Sequence, residues 1–292
     1  MPKETVLVIG LGEVGRPLFE LLKESGCFIV HGYDLDEAKM SQVGQHKKDL
    51  PEKADVMHVC IPCANQRKFV STVANYAKQF KPKLVIINST VMPGTTEEVS
   101  KHCECLVAHS PVRGEHKSLK HMKWELKRWT KYIGGVDAKS AEAASKHFQE
   151  LGLKTKVLKS SLESELAKLF ETTYRAWMIA CFQEMHRISR HFDACFDDIV
   201  DFIEDTHRLR FDRPVMFPGV IGGHCIIPNT ELLLRSYDSE LLRLILKSNE
   251  KRKEEIRDES VKGEVEKVRK RAEALQKKLM KKFGVDNHSV LC

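Results

Sequence analysis

Short apolar runs alternate with amphipathic stretches through the first half of the chain. Thr5-Val6-Leu7-Val8-Ile9 is continuous and apolar, the mark of a strand buried on both faces of a sheet. A helix fits Arg16 to Ser25, and Phe28-Ile29-Val30 predicts a second strand that ends at Gly32-Tyr33-Asp34. Further strands are predicted at Val56–Ile61, Leu84–Asn88, Cys105–His109 and Tyr132–Gly135, with helical stretches between them. Strands alternating with helices imply an α/β fold built on a doubly wound parallel sheet.

From Ser161 the period becomes helical throughout. Leu162 to Arg190 reads as one long helix and Asp197 to His207 as another, followed by an irregular stretch from Arg208 to Pro228 with two further prolines and three glycines. Such a length without regular structure marks a functional loop. Helices resume to about Phe283, and Val261, Val265, Val268, Ala272, Leu275 and Leu279 recur in steps of four and three, a short coiled-coil seam. A seam under three heptads long fits packing on its own domain as well as self-association. The expected organisation is a sheet domain over residues 1–160, a helical domain over 161–256 and a charged C-terminal helix over 257–292.

Composition narrows the class. A chain of 292 residues with 42% hydrophobic content can bury a core, and the short apolar segment after Met1-Pro2-Lys3-Glu4 is too brief for a signal peptide or a membrane span. Nine cysteines without a scaffold spacing point to reduced thiols and a cytoplasmic location. Of the net charge of +7, residues 247–292 contribute +5, from 14 basic against 9 acidic residues. That mixed-sign run lacks interleaved aromatics and reads as a solvated helix face, so neither nucleic acid nor a membrane is expected as a partner.

Gly10-Leu11-Gly12-Glu13-Val14-Gly15 directly follows the first strand and opens the first helix, and Asp34 stands 19 positions after Gly15. In that context the glycines let a pyrophosphate approach the backbone, the helix N-terminus supplies amide donors, and the acid receives the ribose hydroxyls. A carboxylate there repels a 2'-phosphate, so the expected cofactor is NAD rather than NADP. The alternative is a structural glycine turn. Asn88-Ser89-Thr90 and His109-Ser110-Pro111-Val112-Arg113 follow at the carboxyl ends of later strands, where ligands bind in this architecture. Downstream, Gly222-Gly223-His224-Cys225 could present a thiol in a pocket, or Cys225 could be a small core residue. Cys60, Cys63, Cys103 and Cys105 could be combined into a zinc site, but their spacing is poor and no metal is expected.

Together with Glu165-Leu166-Ala167-Lys168-Leu169-Phe170-Glu171-Thr172-Thr173-Tyr174-Arg175-Ala176, these segments resemble the UDP-glucose/GDP-mannose dehydrogenase family from residue 1 to roughly Ile256. The resemblance implies a Rossmann-type NAD domain, a helical central domain, a homodimer, and two successive oxidations of a nucleotide-sugar primary alcohol. It implies Cys225 as the nucleophile, Lys168 as the oxyanion or proton group and Thr90 as the residue ordering water, with Thr90 and Pro62 also beside the cofactor. Lys168 could equally be a surface helix lysine. Arg113, Arg208, Arg210, Arg213, Gly222, Gly223 and His224 are candidates for the substrate, the arginines for phosphate or carboxylate.

The pattern also departs from the family. Thr172 stands where the family has asparagine, Asn229 where it has aspartate, and Val112 where it has glutamate. Asn229 is neither a base nor a charge, so Glu165, Glu171 and Glu115 are the candidates for a replacement carboxylate. The family's further nucleotide-binding domain is not expected here, which suggests a smaller substrate, a site completed by another subunit, or a partner chain. Two other readings stay open: a two-electron hydroxy-acid or sugar dehydrogenase that does not use the cysteine, and an NAD-binding sensor or assembly subunit without turnover.

Overall fold

The structure, a computed structural model, describes residues 2–114 and 118–282. Glu115 and Phe283 lie outside the described residues, and Leu279 is among those whose side chains are not described. The chain divides into two compact units, Met1–Leu169 and Phe170–Cys292.

In the first unit β1 (Thr5–Ile9), α1 (Gly15–Ser25), β2 (Ile29–Tyr33), α2 (Glu37–Gln42), β3 (Val56–Val59), α3 (Gln66–Phe80), β4 (Leu84–Ile87), α4 (Thr95–Ser100) and β5 (Leu106–His109) wind a parallel sheet. It continues through α5 (Leu119–Arg128), β6 (Lys131–Gly135), α6 (Ala138–Glu150) and β7 (Thr155–Val157), in the strand order β2-β1-β3-β4-β5-β6-β7. β1 lies between β2 and β3 and is covered on both faces, as its unbroken apolar run requires. Val6 and Val8 join a core with Leu18, Phe19 and Phe148, while Leu7 and Ile9 face Phe69, Val73 and Val99. Burying each such side chain contributes about 2 kcal/mol.

Two features add to the doubly wound parallel sheet read from the sequence. β6 runs antiparallel to β5, and β7, parallel to β6, was not anticipated. The direction of β6 depends on the edge from which the chain returns, which an apolar pattern does not encode. β7 is a three-residue edge strand, Thr-Lys-Val, with mostly exposed side chains and hence no apolar run to read. The side of β6 is bare for a reason: a Cβ on Gly134 would lie 2.2 Å from the Ser160 carbonyl oxygen, and one on Gly135 would lie 2.4 Å from the Ala141 nitrogen.

In the second unit α7 (Ser161–His191), which begins in the first unit, is followed by α8 (Phe196–Arg210), α9 (Ile226–Ser236), α10 (Glu240–Glu255) and α11 (Glu259–Lys282). α9 starts inside the stretch read as irregular, because Pro228 falls in its first turn, where a missing N–H costs nothing. The α11 seam packs on its own unit: Val261, Val265, Val268 and Leu275 are buried, and Arg271 reaches Asp197, Asp201 and Glu204 of α8. Among the described residues no helix is long and apolar enough to cross a membrane.

Buried polar groups tie α10 and α7 to the loop before α9. Arg252, fully buried, donates to the Gln183 carbonyl at 3.0 Å and lies 3.1 Å from His186 Nδ1. Ser248 donates to Gln183 Oε1, and Gln183 Nε2 in turn donates to the Gly219 carbonyl at 2.7 Å. Asn249 accepts from Ile221 N at 2.7 Å and donates to Ile221 O at 3.2 Å. Each satisfied group avoids a desolvation penalty of about 1–3 kcal/mol.

Beneath the sheet of the first unit, Asn88 Nδ2 lies 3.1 Å from His58 Nδ1, and His58 Nε2 lies 2.9 Å from His147 Nε2. An amide nitrogen only donates, so His58 carries its proton on Nε2 and gives it to His147. Protonating the pair would set two donors face to face. Burial therefore holds His58 well below its ordinary 6.5 and lowers His147 to about 4, and it lowers His109 to about 3.

These imidazoles stay neutral in the fold but gain protons below 6.5 once unfolded, so acid favours the unfolded chain. Each is expected to cost about 1 kcal/mol of stability on going from about pH 7.5 to about pH 5.5. Urea unfolding at the two pH values measures the loss, and an unchanged unfolding free energy would contradict the neutral buried assignment.

Candidate functional site

The turn after β1 is shaped by missing side chains. Gly10 has φ +89°, donates its N–H to the Tyr33 carbonyl at 2.8 Å, and would place a Cβ 2.7 Å from the Cys60 carbonyl oxygen. A Cβ on Gly15, the first residue of α1, would fall 1.7 Å from the Gly10 oxygen. Gly12 differs, since a Cβ there would meet nothing within 4 Å. The first and last glycines are thus required by the protein's own packing, whereas the middle one borders open space. Val14 caps α1 without a side-chain hydrogen bond, and no acidic residue stands in its first turn. Asp34, just past β2, accepts from Leu11 N at 2.7 Å and from Asp36 N at 3.0 Å, with Lys39 at 3.9 Å. The carboxylate is therefore part of the turn's own framework. An open glycine, an uncapped helix start and an acid at the neighbouring strand end fit a dinucleotide.

The loop that carries Thr90 is held at both ends. Ser89 Oγ donates to the Ile61 carbonyl at 2.6 Å, and His109 Nε2 donates to the Ser89 carbonyl at 3.0 Å, while His109 Nδ1 lies 2.7 Å from Ser164 Oγ. At the far end Glu165 accepts from Gly94 N at 2.6 Å, Thr96 N at 2.8 Å and Thr96 Oγ1 at 2.5 Å. Burial raises the pKa of Glu165 while these donors pull it down. Glu165 thus caps α4 and is committed there, not available as a stand-in base. Glu171 is exposed.

Thr90 is half-buried, and Pro62 is exposed just beyond β3. Lys168 on α7 is half-buried, and its charge, with that of Lys131, acts on His109 at the carboxyl end of β5. Lys131 is a residue the sequence reading missed. It is 4% exposed and donates to the carbonyls of Ser110 at 2.8 Å and Pro111 at 3.3 Å. Desolvation lowers it to about 7, with Arg113 and Lys168 adding repulsion. Arg113 donates to the Thr130 carbonyl and stacks over Trp129 and Tyr132, 4.8 and 5.0 Å from the ring centres. Val112 is buried.

The remaining candidates belong to the second unit. Cys225 is half-buried at the N-cap of α9, and its carbonyl accepts from Asn229 N at 3.0 Å. Buried Asn229 donates through Nδ2 to Thr172 Oγ1 at 3.1 Å, so the two positions singled out as departures are hydrogen-bonded to each other. Gly222, Gly223 and His224 are exposed, and Gly223 has φ +76°. Arg208 pairs with Glu204 one turn earlier, Arg213 with Asp212 at 2.6 Å, and Arg210 is exposed. Gln183, Asn249 and Arg252, which fasten the glycine segment, also escaped the sequence reading, because isolated polar residues on helices look like surface. Among the described residues no cluster of three or more His, Cys, Asp or Glu could hold a metal ion, Cys60, Cys63, Cys103 and Cys105 included.

Residues 162–251 match the central domain of the UDP-glucose/GDP-mannose dehydrogenase family. The UDP-N-acetyl-D-mannosamine dehydrogenase of Methanocaldococcus jannaschii is 31% identical over 284 residues, an alignment that takes in 84% of this chain and 65% of that protein. This chain therefore spans somewhat less than two thirds of that relative's length. Among solved structures, the UDP-D-ManNAc dehydrogenase of Pyrococcus horikoshii superposes with a TM-score of 0.67 at 24% identity, over 84% of this chain and 68% of that one. The 3-hydroxyisobutyrate dehydrogenase of Mycobacterium tuberculosis superposes with a TM-score of 0.63 at 16% identity, over 88% and 95%. At these identities the structural likenesses speak for the fold, and it is the sequence matches that tie residues 162–251 to the central domain of the UDP-glucose/GDP-mannose dehydrogenase family.

Proposed function

We propose that this chain is an NAD-dependent oxidoreductase that oxidises the primary alcohol of a nucleotide sugar, with Cys225 capturing the resulting aldehyde. The observation that carries the reading is the opening at Gly12, bordered by the uncapped start of α1 and by Asp34. The M. jannaschii relative makes UDP-N-acetyl-D-mannosamine the first substrate to test. NAD, when bound, supplies the oxidant by accepting a hydride. Asp34 receives the ribose hydroxyls and disfavours a 2'-phosphate, and the amides at the start of α1 hold the pyrophosphate. Pro62 and Thr90 border the nicotinamide side.

In this reading Lys168 stabilises the oxyanion and Arg113 helps hold the substrate, with Arg208, Arg210, Gly222, Gly223 and His224 as further substrate contacts. The Cys225 thiolate adds to the aldehyde carbon. Loss of a second hydride from that adduct leaves a thioester, and water then releases the acid and the thiol. Because the Asn229 amide donates to Thr172, the Thr172 hydroxyl proton is left to point elsewhere, and neither residue acts as a base toward that water. Thioester hydrolysis is therefore the slow half of the proposed reaction.

A second reading is a single two-electron oxidation of a hydroxy acid that leaves Cys225 unused. It is favoured by the Asn229–Thr172 hydrogen bond, since a single oxidation asks neither residue to act as a base.

The proposal includes a homodimer. Phe170, Tyr174 and Ile188 on α7 are all exposed, and with 100° per residue the three fall within 40° of one helix face. An apolar stripe of that length suits a second copy of the same helix.

Three measurements test these statements. Gly12→Ala is expected to leave the melting temperature unchanged, since its Cβ meets no protein atom, while weakening NAD binding at least about tenfold. Equal NAD affinity in the variant would remove the glycine turn from the site. Counting NADH per substrate consumed should give two for the wild-type protein and one or none for Cys225→Ser, whereas one NADH in both proteins would establish the two-electron reading. Light scattering should return the mass of a dimer, and a stable monomer would sink the pairing through α7.

A further inference from the structure

Helix α11 meets the glycine segment before Cys225 in two ways. The first is direct: a Cβ on Gly219 would lie 2.6 Å from the Phe217 ring and 3.5 Å from Val265 Cγ1, so buried Val265 stands against the bare side of that glycine. The second runs through Glu264, the residue before Val265. Glu264 Oε2 accepts from His186 Nε2 at 2.7 Å, and Oε1 accepts from Arg190 at 2.9 Å. Arg252 Nη1 donates to His186 Nδ1 at 3.1 Å, so the imidazole carries its proton on Nε2, facing Glu264. From Arg252 the bonds continue to the Gln183 carbonyl at 3.0 Å, and the Gln183 side chain holds the Gly219 carbonyl at 2.7 Å.

This relay leads from solvent to the interior. The Glu264 side chain is 43% exposed, whereas that of His186 is 1% exposed and Arg252 is fully buried. Removing the Glu264 carboxylate would leave the buried His186 N–H without its acceptor, and such a group is costly to bury unpaired. The rest of α11 has its own attachments, since Lys267 and Arg271 pair with acids of α8 and Val261, Val268 and Leu275 are buried. Loss of Glu264 therefore loosens the relay and not the whole helix. Between the Ile221 anchor and Cys225 stand just Gly222, Gly223 and His224, all exposed, so on that side the placement of the thiol follows from the anchored residues.

We infer that Glu264, His186 and Arg252 are positioning residues for the Cys225 thiol, and that α11 is a clasp which keeps the segment from Gly219 to Cys225 seated. With the Glu264 end docked, Gln183 and Val265 hold Gly219 from two sides. With it released, the segment opens locally and the half-buried thiol becomes more accessible. The clasp bears on catalysis under the reading of Cys225 as nucleophile, on which that part rests. Chemical labelling of the thiol involves no NADH, so the clasp and the dehydrogenase reading fail separately.

The test is iodoacetamide labelling of the intact protein, timed and read by peptide mapping. Trypsin leaves Cys225 in residues 211–235 and Cys195 in residues 191–208, with no second cysteine in either peptide. In Glu264→Ala, Cys225 is expected to react at least about fivefold faster than in the wild-type protein, while exposed Cys195 and Cys27 keep their rates. Glu264→Gln retains an oxygen that accepts from His186 and should stay within about twofold of wild type. Hydrogen exchange reads the same event without the thiol: the Ile221 N–H, held by Asn249, should exchange faster in Glu264→Ala, and amides in the middle of α8 should not. Unchanged or slower labelling of Cys225 in Glu264→Ala overturns the clasp. An equal rise at Cys195 and Cys27 overturns it too, because that reports general loosening. Equal acceleration by both substitutions overturns the relay through His186.

Discussion

Nothing larger than a hydrogen atom fits between the start of α1 and the turn that follows β1. Gly15 brings the helix onto the Gly10 carbonyl, and Gly10 brings the turn onto Cys60. With those two approaches made, the helix axis, the end of β1 and the neighbouring strand β3 are fixed against one another. The bond from Leu11 to Asp34 then ties β2 into the same frame. Gly12 is the member of the trio that the fold itself does not need, which is why it carries the argument for a ligand.

Around that frame the first unit places polar groups where water does not reach. His109, Glu165 and Lys131 each hold backbone of the segments at the carboxyl edge of the sheet: Ser89, the start of α4, and Ser110-Pro111. Burying such groups is costly unless every hydrogen bond is made. A loop held this way is pre-set rather than ordered by its ligand, and less binding energy is lost to freezing it. The second unit repeats the device with Gln183, Asn249 and Arg252 around the segment that leads to Cys225.

Much of this architecture was legible in the sequence, for identifiable reasons. A strand buried on both faces has to be apolar at every position, so β1 and β4 announced themselves, and a glycine turn that joins strand to helix has few substitutes. The heptad spacing of α11 was also visible. What the spacing left open was its partner, and the burial of Val265 and Val268 against the same unit answers that. The illegible parts share another trait: they depend on what lies opposite. The direction of β6 and the edge strand β7 are set by neighbours distant in sequence. Lys131 and Arg252 are written with the same letters as surface cations, and only burial separates them. For the candidate site the glycine turn was read from pattern, whereas the roles proposed for Cys225, Lys168 and Thr90 came from family likeness, and the pairing of Asn229 with Thr172 could not have been guessed from two separate departures.

Asn249 carries a last implication. By accepting from the N–H of Ile221 and donating to its C=O, one side-chain amide does for that residue what a neighbouring strand would do in a sheet. Asparagine has both a donor and an acceptor on a stem of the right length. Aspartate offers no donor, leucine offers neither group, and glutamine would have to fold back to reach. The side chain at position 221 therefore plays no part in the grip, because the anchor holds main-chain atoms that every residue type except proline supplies. The anchor has no such latitude.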